Sequence, residues 1–516
     1  MVSPQVVIPM SGVGQRFVDA GYHHLKPLIP VFRNRIIDEV MAMFPLVEDP
    51  LFIIAKNHKQ SKELKEYLLS KWPKSIVSEI DGHKLGPGHA ILSSEAFIDQ
   101  SRPVIVSYCD FTGNWNYTDF CNQLLNVDAL ILTYSGFHPH MLRNTKYAYV
   151  KKNSSNLVSD IQEKNSFTDN PMQEEASAGL YAFRTGKLLI DSIREQVTKG
   201  HSHKGEFYIS LTILPLLESK LKVKTFLMDK FGQFGTPEDL KDWLYNFKAA
   251  NLAGKNEMLQ DEVRSEYAII LAGGLGSRLS EITETPKPFV EVNGIPLWKF
   301  SLWAALKAGN RHIILRDKYV KYLEVTEGER LTVDVLKSNT QGQADTAIKA
   351  LNSVNDLDFP VTFLSCDNLI QPNDYENAVK SLARADIIVW AASAYPLAEL
   401  KPDRYSWVDK DKNYVNKFSL KHLPPDFKNP SIVIGNFTFK SGALAQKLLE
   451  ECIQSAERYS SEVYIDSVIQ LALEYGVDVG YVEVENFFAI GTSDELKTFN
   501  YFSDFKTSNV NSARYV

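Results

Sequence analysis

The sequence has no apolar run near the ~18 residues that span a bilayer, so no membrane-crossing helix is expected. It also has no long basic block: 56 lysines and arginines face 63 aspartates and glutamates, a formal charge of −7. That balance argues against a dedicated nucleic-acid binder and leaves room only for local basic pockets. Cysteine is scarce, with Cys109, Cys121, Cys366 and Cys452 and no C-x-x-C pair. Structural zinc and dithiol redox chemistry are therefore unsupported. Cys109 and Cys366 each end an apolar run and precede an aspartate, as buried strand cysteines of a reducing compartment do. The first residues, MVSPQVVIPM, lack the basic start and long apolar stretch of a secretory leader, so a cytoplasmic protein is expected.

What is present is an ordinary soluble balance, 44% apolar and 23% charged, over 516 residues. That length exceeds one core, so two or more domains are expected. The chain then repeats itself. Gly12, Gly14 and Arg16 recur as Gly274, Gly276 and Arg278 at an offset of 262, and Lys26-Pro27 as Lys287-Pro288 at 261. PVIVSYCDF matches PVTFLSCDN, pairing Asp110 with Asp367 at 257, the same offset as Lys164 to Lys421. At 256, SAGLYAFRTGKLL matches VIGNFTFKSGALA, GEFYISLTILPLL matches SEVYIDSVIQLAL, and FGTPEDLKDW matches IGTSDELKTF. Order is kept throughout, so the chain reads as a tandem duplication. Its parts are a first domain over 1–250, a polar linker over 251–266, a second domain over 267–505 and a tail over 506–516.

Within each half, short continuous apolar runs alternate with polar helical stretches. QVVIPM, LFIIA, PVIVSY and ALILTY have the counterparts YAIILA, HIILR, VTFLS and DIIVWAA. This predicts α/β architecture, two tandem Rossmann-like domains, each a mostly parallel sheet flanked by helices. Ligands of such sheets sit at the carboxyl ends of the strands.

The loop after each first strand is glycine-rich, GVGQRF and GLGSRL, which lets backbone N–H groups approach phosphate oxygens. Neither loop is a dinucleotide fingerprint, because Phe17 and Leu279 stand where the third glycine belongs, and neither half has a GxxxxGK[ST] loop. GxGxR followed about a dozen residues later by Lys-Pro is the stronger signal. With QGQADTAI, a mid-chain SCD and a late Gly-Thr, it resembles the sugar-phosphate nucleotidyltransferase family. The first half, with PMSGVGQRF and HLKPLIPV, resembles a divergent branch associated with bacterial capsule and surface polysaccharide.

The resemblance implies in-line attack of a phosphate oxygen on the α-phosphorus of an NTP, with release of pyrophosphate. Such chemistry needs cations, donors and a metal around the triphosphate. It implies that Arg16 and Arg278 grip the β- and γ-phosphates, that Lys26 and Lys287 neutralise the α-phosphate, and that Asp110 and Asp367 hold Mg²⁺. Gly12, Gly14, Gly274 and Gly276 belong to the phosphate loops, and Gln341 and Gly342 to the base side of the second half. Lys164 would bind the acceptor's phosphate and Gly179 and Glu206 would line its pocket, with Lys421, Gly435 and Glu462 as counterparts. The implied partners are an NTP, CTP or UTP favoured, and a phosphorylated small-molecule acceptor; a homo-oligomer is left open.

Each assignment has a plainer reading. A lone Arg or Lys is usually a solvated surface residue. An Asp after a strand often only caps a turn, and Glu206 and Glu462 could cap helices. The histidines of GFHPHML, His138 and His140, have no counterpart in the second half, so packing rather than metal binding is expected. Three departures matter. A second metal-binding Asp two residues before the late Gly-Thr is replaced by Gln233 and Ala489; Leu420 stands where the first half has Glu163; and KLGPGHAIL, with Gly86, Gly88 and His89, replaces the Gln-Gly loop. Two working sites, or one working and one degenerate regulatory or interface domain, both fit these losses. A glycosyltransferase of related fold would carry a DxD motif, which CDF and CDN lack.

Overall fold

The apolar runs form the centre of two sheets because both faces of each strand are covered. In the second half, Ala268, Ile270 and Ala272 enter one core while Tyr267, Ile269 and Leu271 enter the core on the other side of the sheet. With a side-chain period of two, only a continuous apolar run satisfies both layers. The computed structural model describes residues 3–252, 265–325, 330–455 and 463–508. Most of the expected linker, residues 253–264, lies outside the described residues, as do 509–516 of the expected tail.

By internal contacts, residues 245–503 form one unit, and residues up to Leu244 form the other with the stretch that begins at Asp504. The division falls inside both closing helices, Pro237–Leu252 and Ser493–Ser508. In the first unit Trp243 meets Phe505 edge-on, ring centroids 4.9 Å apart.

In the first unit Gln5–Pro9 runs parallel to Leu51–Ala55 on one side and to Val104–Ser107 on the other. Ile76–Ile80 continues the parallel set beyond Leu51–Ala55. On the other flank direction reverses: the long strand Glu175–Phe183 is antiparallel to Val104–Ser107 and carries Ala129–Tyr134 and Ala148–Lys152. The sheet is thus mixed, with a parallel half and an antiparallel half. The second unit repeats it. Tyr267–Ala272 lies between Asn310–Arg316 and Val361–Ser365, Leu331–Leu336 extends the parallel set, and Pro430–Phe439 is the long antiparallel strand.

In each unit the first strand has the second strand on one side and the fourth on the other. That is a topological switch point, where the loops leaving the strand ends diverge and open a crevice. The loops that leave there carry the glycine-rich stretch and the Cys-Asp pair. Local details are duplicated too. Thr185 and Ser441, at matching positions, each cap a helix by accepting a backbone N–H three residues on, at 3.1 and 3.2 Å.

Candidate functional site

Glycine is required at one point of each glycine-rich loop. Gly14 and Gly276 have φ of 67° and 68°. A Cβ there would come within 3.2 Å of Lys26 Cβ or 2.7 Å of Lys287 Cβ. The lysine that follows the loop therefore packs directly under it. Gly12 and Gly274 differ: a Cβ on either would meet nothing within 4 Å, so the loop faces open space where a ligand's phosphates could approach. Phe17 and Leu279, in place of the third fingerprint glycine, are each 1% exposed and anchor the loop in the core.

Each lysine reaches the aspartate at the end of the fourth strand. Lys26 Nζ is 2.7 Å from Asp110 Oδ2 and 3.2 Å from the Gly235 carbonyl oxygen. Lys287 Nζ pairs with Asp367 Oδ2 in the same way. Gly235 and Gly491, the glycines of the late Gly-Thr, close the third side. A Cβ at Gly491 would stand 2.9 Å from Asp367 Oδ2 and 3.7 Å from Lys287 Nζ. Three distant segments thus meet at one point in each half.

Burial works against both charges of the second pair, but their mutual attraction outweighs it. Asp367 is held below the usual carboxylate range by Lys287 and the Ser365 hydroxyl, and Lys287 is held above the usual lysine range by Asp367. The thiols of Cys109 and Cys366, next to these aspartates, are pushed up to about 12, chiefly by burial. They stay neutral in the physiological range and are not nucleophiles.

A carboxylate that sequence reasoning missed stands behind each pair. Asp239 accepts from the Thr236 backbone N–H at 3.1 Å, and burial raises its pKa. Its counterpart Glu495 accepts from Gly491 N–H at 2.9 Å, Thr492 Oγ1 at 3.0 Å and Tyr405 OH at 2.7 Å. The repeated FGTPED and IGTSDE carried the signal, since both place an acid three residues after the threonine.

The expected acceptor residues form a second group. Lys164 and Lys421 both adopt the left-handed conformation, φ 65° and 52°, a rare geometry for lysine that the duplication has kept twice. Lys164 Nζ sits 3.2 Å from Glu163 Oε1 and 5.5 Å from the Tyr208 ring centroid. Lys421 Nζ donates to the Arg404 carbonyl at 3.0 Å and lies 5.4 Å from the Tyr464 ring centroid. Tyr208 is raised to about 12 by burial and by Glu206 and Glu163, with Arg16 opposing. That opposition places exposed Arg16 within electrostatic reach of the acceptor group; Arg278 is exposed as well. Glu206 is not a helix cap: it exchanges backbone hydrogen bonds with His203, each 3.0 Å. Gly179 has φ 89° and packs its backbone against Tyr108, and Gly435 has φ 77°. Glu462 lies outside the described residues.

The loops expected on the base side lean on this group. Gly88 N–H donates to Phe207 O and Phe207 N–H to Leu85 O, both 2.9 Å. In the second half Ala344 N–H donates to Val463 O at 3.1 Å and Val463 N–H to Gln341 O at 3.3 Å. Gly86 and Gly342, φ 86° and 137°, begin the following helices. Exposed Gln341 is fixed through its N–H, which donates to Asp345 Oδ2 at 2.9 Å.

For a metal, the donors on hand are few. Among the described residues no three His, Cys, Asp or Glu side chains gather as a binding set. Among the described residues, Asp110 or Asp367 is the carboxylate that pairs with the lysine at the crevice, with Asp239 or Glu495 tied up behind it. This fits Mg²⁺, which commonly takes one or two carboxylates and completes its shell with phosphate oxygens and water. It does not fit zinc held by protein alone. His138 and His140 belong to an aromatic cluster instead. Burial lowers His138 to about 4 and His140 well below the usual histidine range, and His140 Nε2 is 3.1 Å from Tyr134 OH.

The family model described as nucleotidyl transferase matches residues 5–244 and again 267–503. The chain belongs to this family and carries its domain twice. It is 33% identical over 114 residues to a 2-aminoethylphosphonate cytidylyltransferase of Lancefieldella rimae, covering 21% of this chain and 45% of that protein. It is 38% identical over 85 residues to the mannose-1-phosphate guanylyltransferase catalytic subunit beta of Danio rerio, covering 16% of this chain and 24% of that one. The chain therefore spans less than half the length of these relatives. A nucleoside-diphosphate-sugar pyrophosphorylase from Vibrio cholerae RC9 superimposes with a TM-score of 0.40 at 20% identity, covering 46% of this chain and 99% of that one.

Proposed function

From a chain that carries the nucleotidyl transferase domain twice, we propose that both halves transfer a nucleotidyl group from an NTP to a phosphorylated acceptor. The acceptor is a sugar phosphate or a small phospho-alcohol or phosphonate, and pyrophosphate leaves. One observation carries this reading: in both halves Lys, Asp and the glycine of Gly-Thr converge beneath an open glycine loop at the switch point.

In each site the loop N–H groups and Arg16 or Arg278 take the β- and γ-phosphates. Lys26 or Lys287 faces the α-phosphate, where negative charge grows during attack. A cation placed there binds the transition state better than the ground state and lowers the barrier. Lys164 or Lys421 holds the acceptor's phosphate in line. Asp110 and Asp367 would each hold Mg²⁺, which when bound spreads the charge of the triphosphate. Before substrate arrives, each aspartate is the counter-ion of its lysine, so the triphosphate exchanges one anionic partner of that lysine for another.

CTP is the favoured donor, with UTP next; the name of the Lancefieldella relative supports the first. We further infer a cytoplasmic enzyme whose products are activated building blocks for surface polysaccharide, a role supported by the resemblance of PMSGVGQRF and HLKPLIPV to that branch. The test is a pyrophosphate-release screen of the four NTPs against sugar 1-phosphates, phospho-alcohols and aminoalkylphosphonates. Release with one pyrimidine NTP and a phosphorylated acceptor is expected; no release from any combination contradicts the reading.

A further inference from the structure

In the second half three adjacent strand ends are tied by one side chain. Arg316 ends the strand Asn310–Arg316, with Ala272 opposite Leu315 on one side and Leu336 opposite Arg316 on the other. Its Nε donates to the Gly273 carbonyl at 2.7 Å and its Nη1 to Asn339 Oδ1 at 2.5 Å. Gly273 is the first residue of the glycine loop, and Asn339 lies just before Gln341 and Gly342. Thr346, in the helix that follows the Gln341–Gly342 loop, stands between the two loops. A Cβ on Gly273 would come within 3.2 Å of Thr346 Cγ2, and Thr346 Oγ1 donates to the Gly342 carbonyl at 3.0 Å.

A guanidinium is planar, so the directions of its two bonds are fixed relative to each other. Lysine, with a single swivelling ammonium, cannot fix both. Among the described residues, the first half has no such clasp. Its matching strand ends in Ala55, and the next residue, Lys56, is 2.9 Å from Asp81 with both side chains largely exposed.

We propose that Arg316 is a positioning residue of the second half, setting the separation of the glycine loop from the Gln341–Gly342 loop so that both meet an NTP already aligned. The clasp exploits preorganisation: the loops lose less freedom when the nucleotide binds. This rests on the reading of the second half as a nucleotide site.

The experiment uses the full chain with Lys26→Ala, so that only second-half turnover is read, and in parallel resolves equilibrium NTP binding into two sites, of which only the second-half site should shift with Arg316. Arg316→Ala should raise the KM for NTP and weaken NTP binding by about ten-fold, with kcat within about two-fold and the acceptor KM unchanged. Arg316→Lys should recover part of the loss. Asn339→Ala should act in the same direction, and the double variant should be no worse than Arg316→Ala, because one clasp is removed once. An NTP KM and affinity unchanged in Arg316→Ala overturn the proposal, as does an equal shift in the acceptor KM. Should Arg316→Ala fail to fold, Arg316→Lys carries the same split. If pyrophosphate release is absent but Arg316→Ala still weakens NTP binding ten-fold, the catalytic reading fails and the clasp stands.

Discussion

The two halves hold the same lysine–aspartate pair in different company. In the first, Lys26 shares itself between Asp110 and the carbonyl of Gly235, and its side chain is 15% exposed against 27% for Asp110. In the second, Asp367 is 12% exposed, and one of its oxygens takes Lys287 while the other accepts from Ser365. The acceptor groups diverge in the same manner. Glu163 accepts from Ser210 at 2.5 Å in the first half. Leu420 replaces that carboxylate in the second, and Asp466, at the position matching Ser210, accepts from Ser406 at 2.5 Å. A buried carboxylate–hydroxyl pair survives, but the acid no longer stands next to the left-handed lysine in sequence. The lesson is that duplication preserved the backbone, including the left-handed turns at 14 and 276, 164 and 421, and 179 and 435. What drifted is how each polar group is satisfied.

The comparison can first be broken at the metal. Removing Mg²⁺ with EDTA should cut pyrophosphate release from both halves by about a hundred-fold or more, and Mg²⁺ should restore it. Gln233 stands where the second half has Ala489, so Gln233→Ala should raise the Mg²⁺ needed for half-maximal first-half turnover and leave the second half alone. Undiminished turnover in EDTA removes the metal role of Asp110 and Asp367.

A smaller effect is expected at the acceptor lysines. Lys164→Ala should lower kcat/KM for the first-half acceptor by about ten- to a hundred-fold, as loss of a charge-assisted contact does. Lys421→Ala should do so only for the second-half acceptor. Unchanged acceptor dependence in both variants would show these lysines to be surface residues in an unusual backbone conformation.

The smallest effect concerns stability. Burial raises the Asp374 carboxyl to about 6, although the Gln371 N–H opposes the shift at 2.9 Å. The folded pKa lies above the unfolded value of about 3.9, so the stability this group contributes is complete below that pH and is lost as pH rises through about 6. The matching helix of the first half, behind its cap Asn116, carries an exposed Asp119 at the equivalent place instead. Asp374→Asn should therefore gain about 2–4 °C in Tm over the parent on going from pH 4 to pH 7. A difference constant across that range would place the buried carboxyl elsewhere.

Much of this was legible in the sequence because duplication supplies its own alignment. Lys26 could be matched with Lys287 and Asp110 with Asp367 before any fold was known, and within each half the lysine meets its aspartate in space. Continuous apolar runs announced the parallel strands. The antiparallel course of Glu175–Phe183 was not legible, because an apolar run buried on both faces reads the same in either direction. Nor was the place of Gly235 and Gly491 against the lysine–aspartate pairs, which depends on where the closing strand and helix dock. Arg316 was invisible for another reason: it has no counterpart in the first half, so the repeat could not single it out.

The central claim is that both halves react, and the lysines after the glycine loops test it most directly. Lys26→Ala and Lys287→Ala should each lower kcat at their own site by about 10²–10³-fold, with less effect on NTP binding. The measurement is pyrophosphate release by both single variants and the double variant across the acceptor panel. The account predicts that each single variant loses one acceptor activity and keeps the other, and that the double variant loses both. One variant inactive toward every acceptor beside another of normal activity would show one half degenerate, and full activity in the double variant would contradict the assignment of both sites.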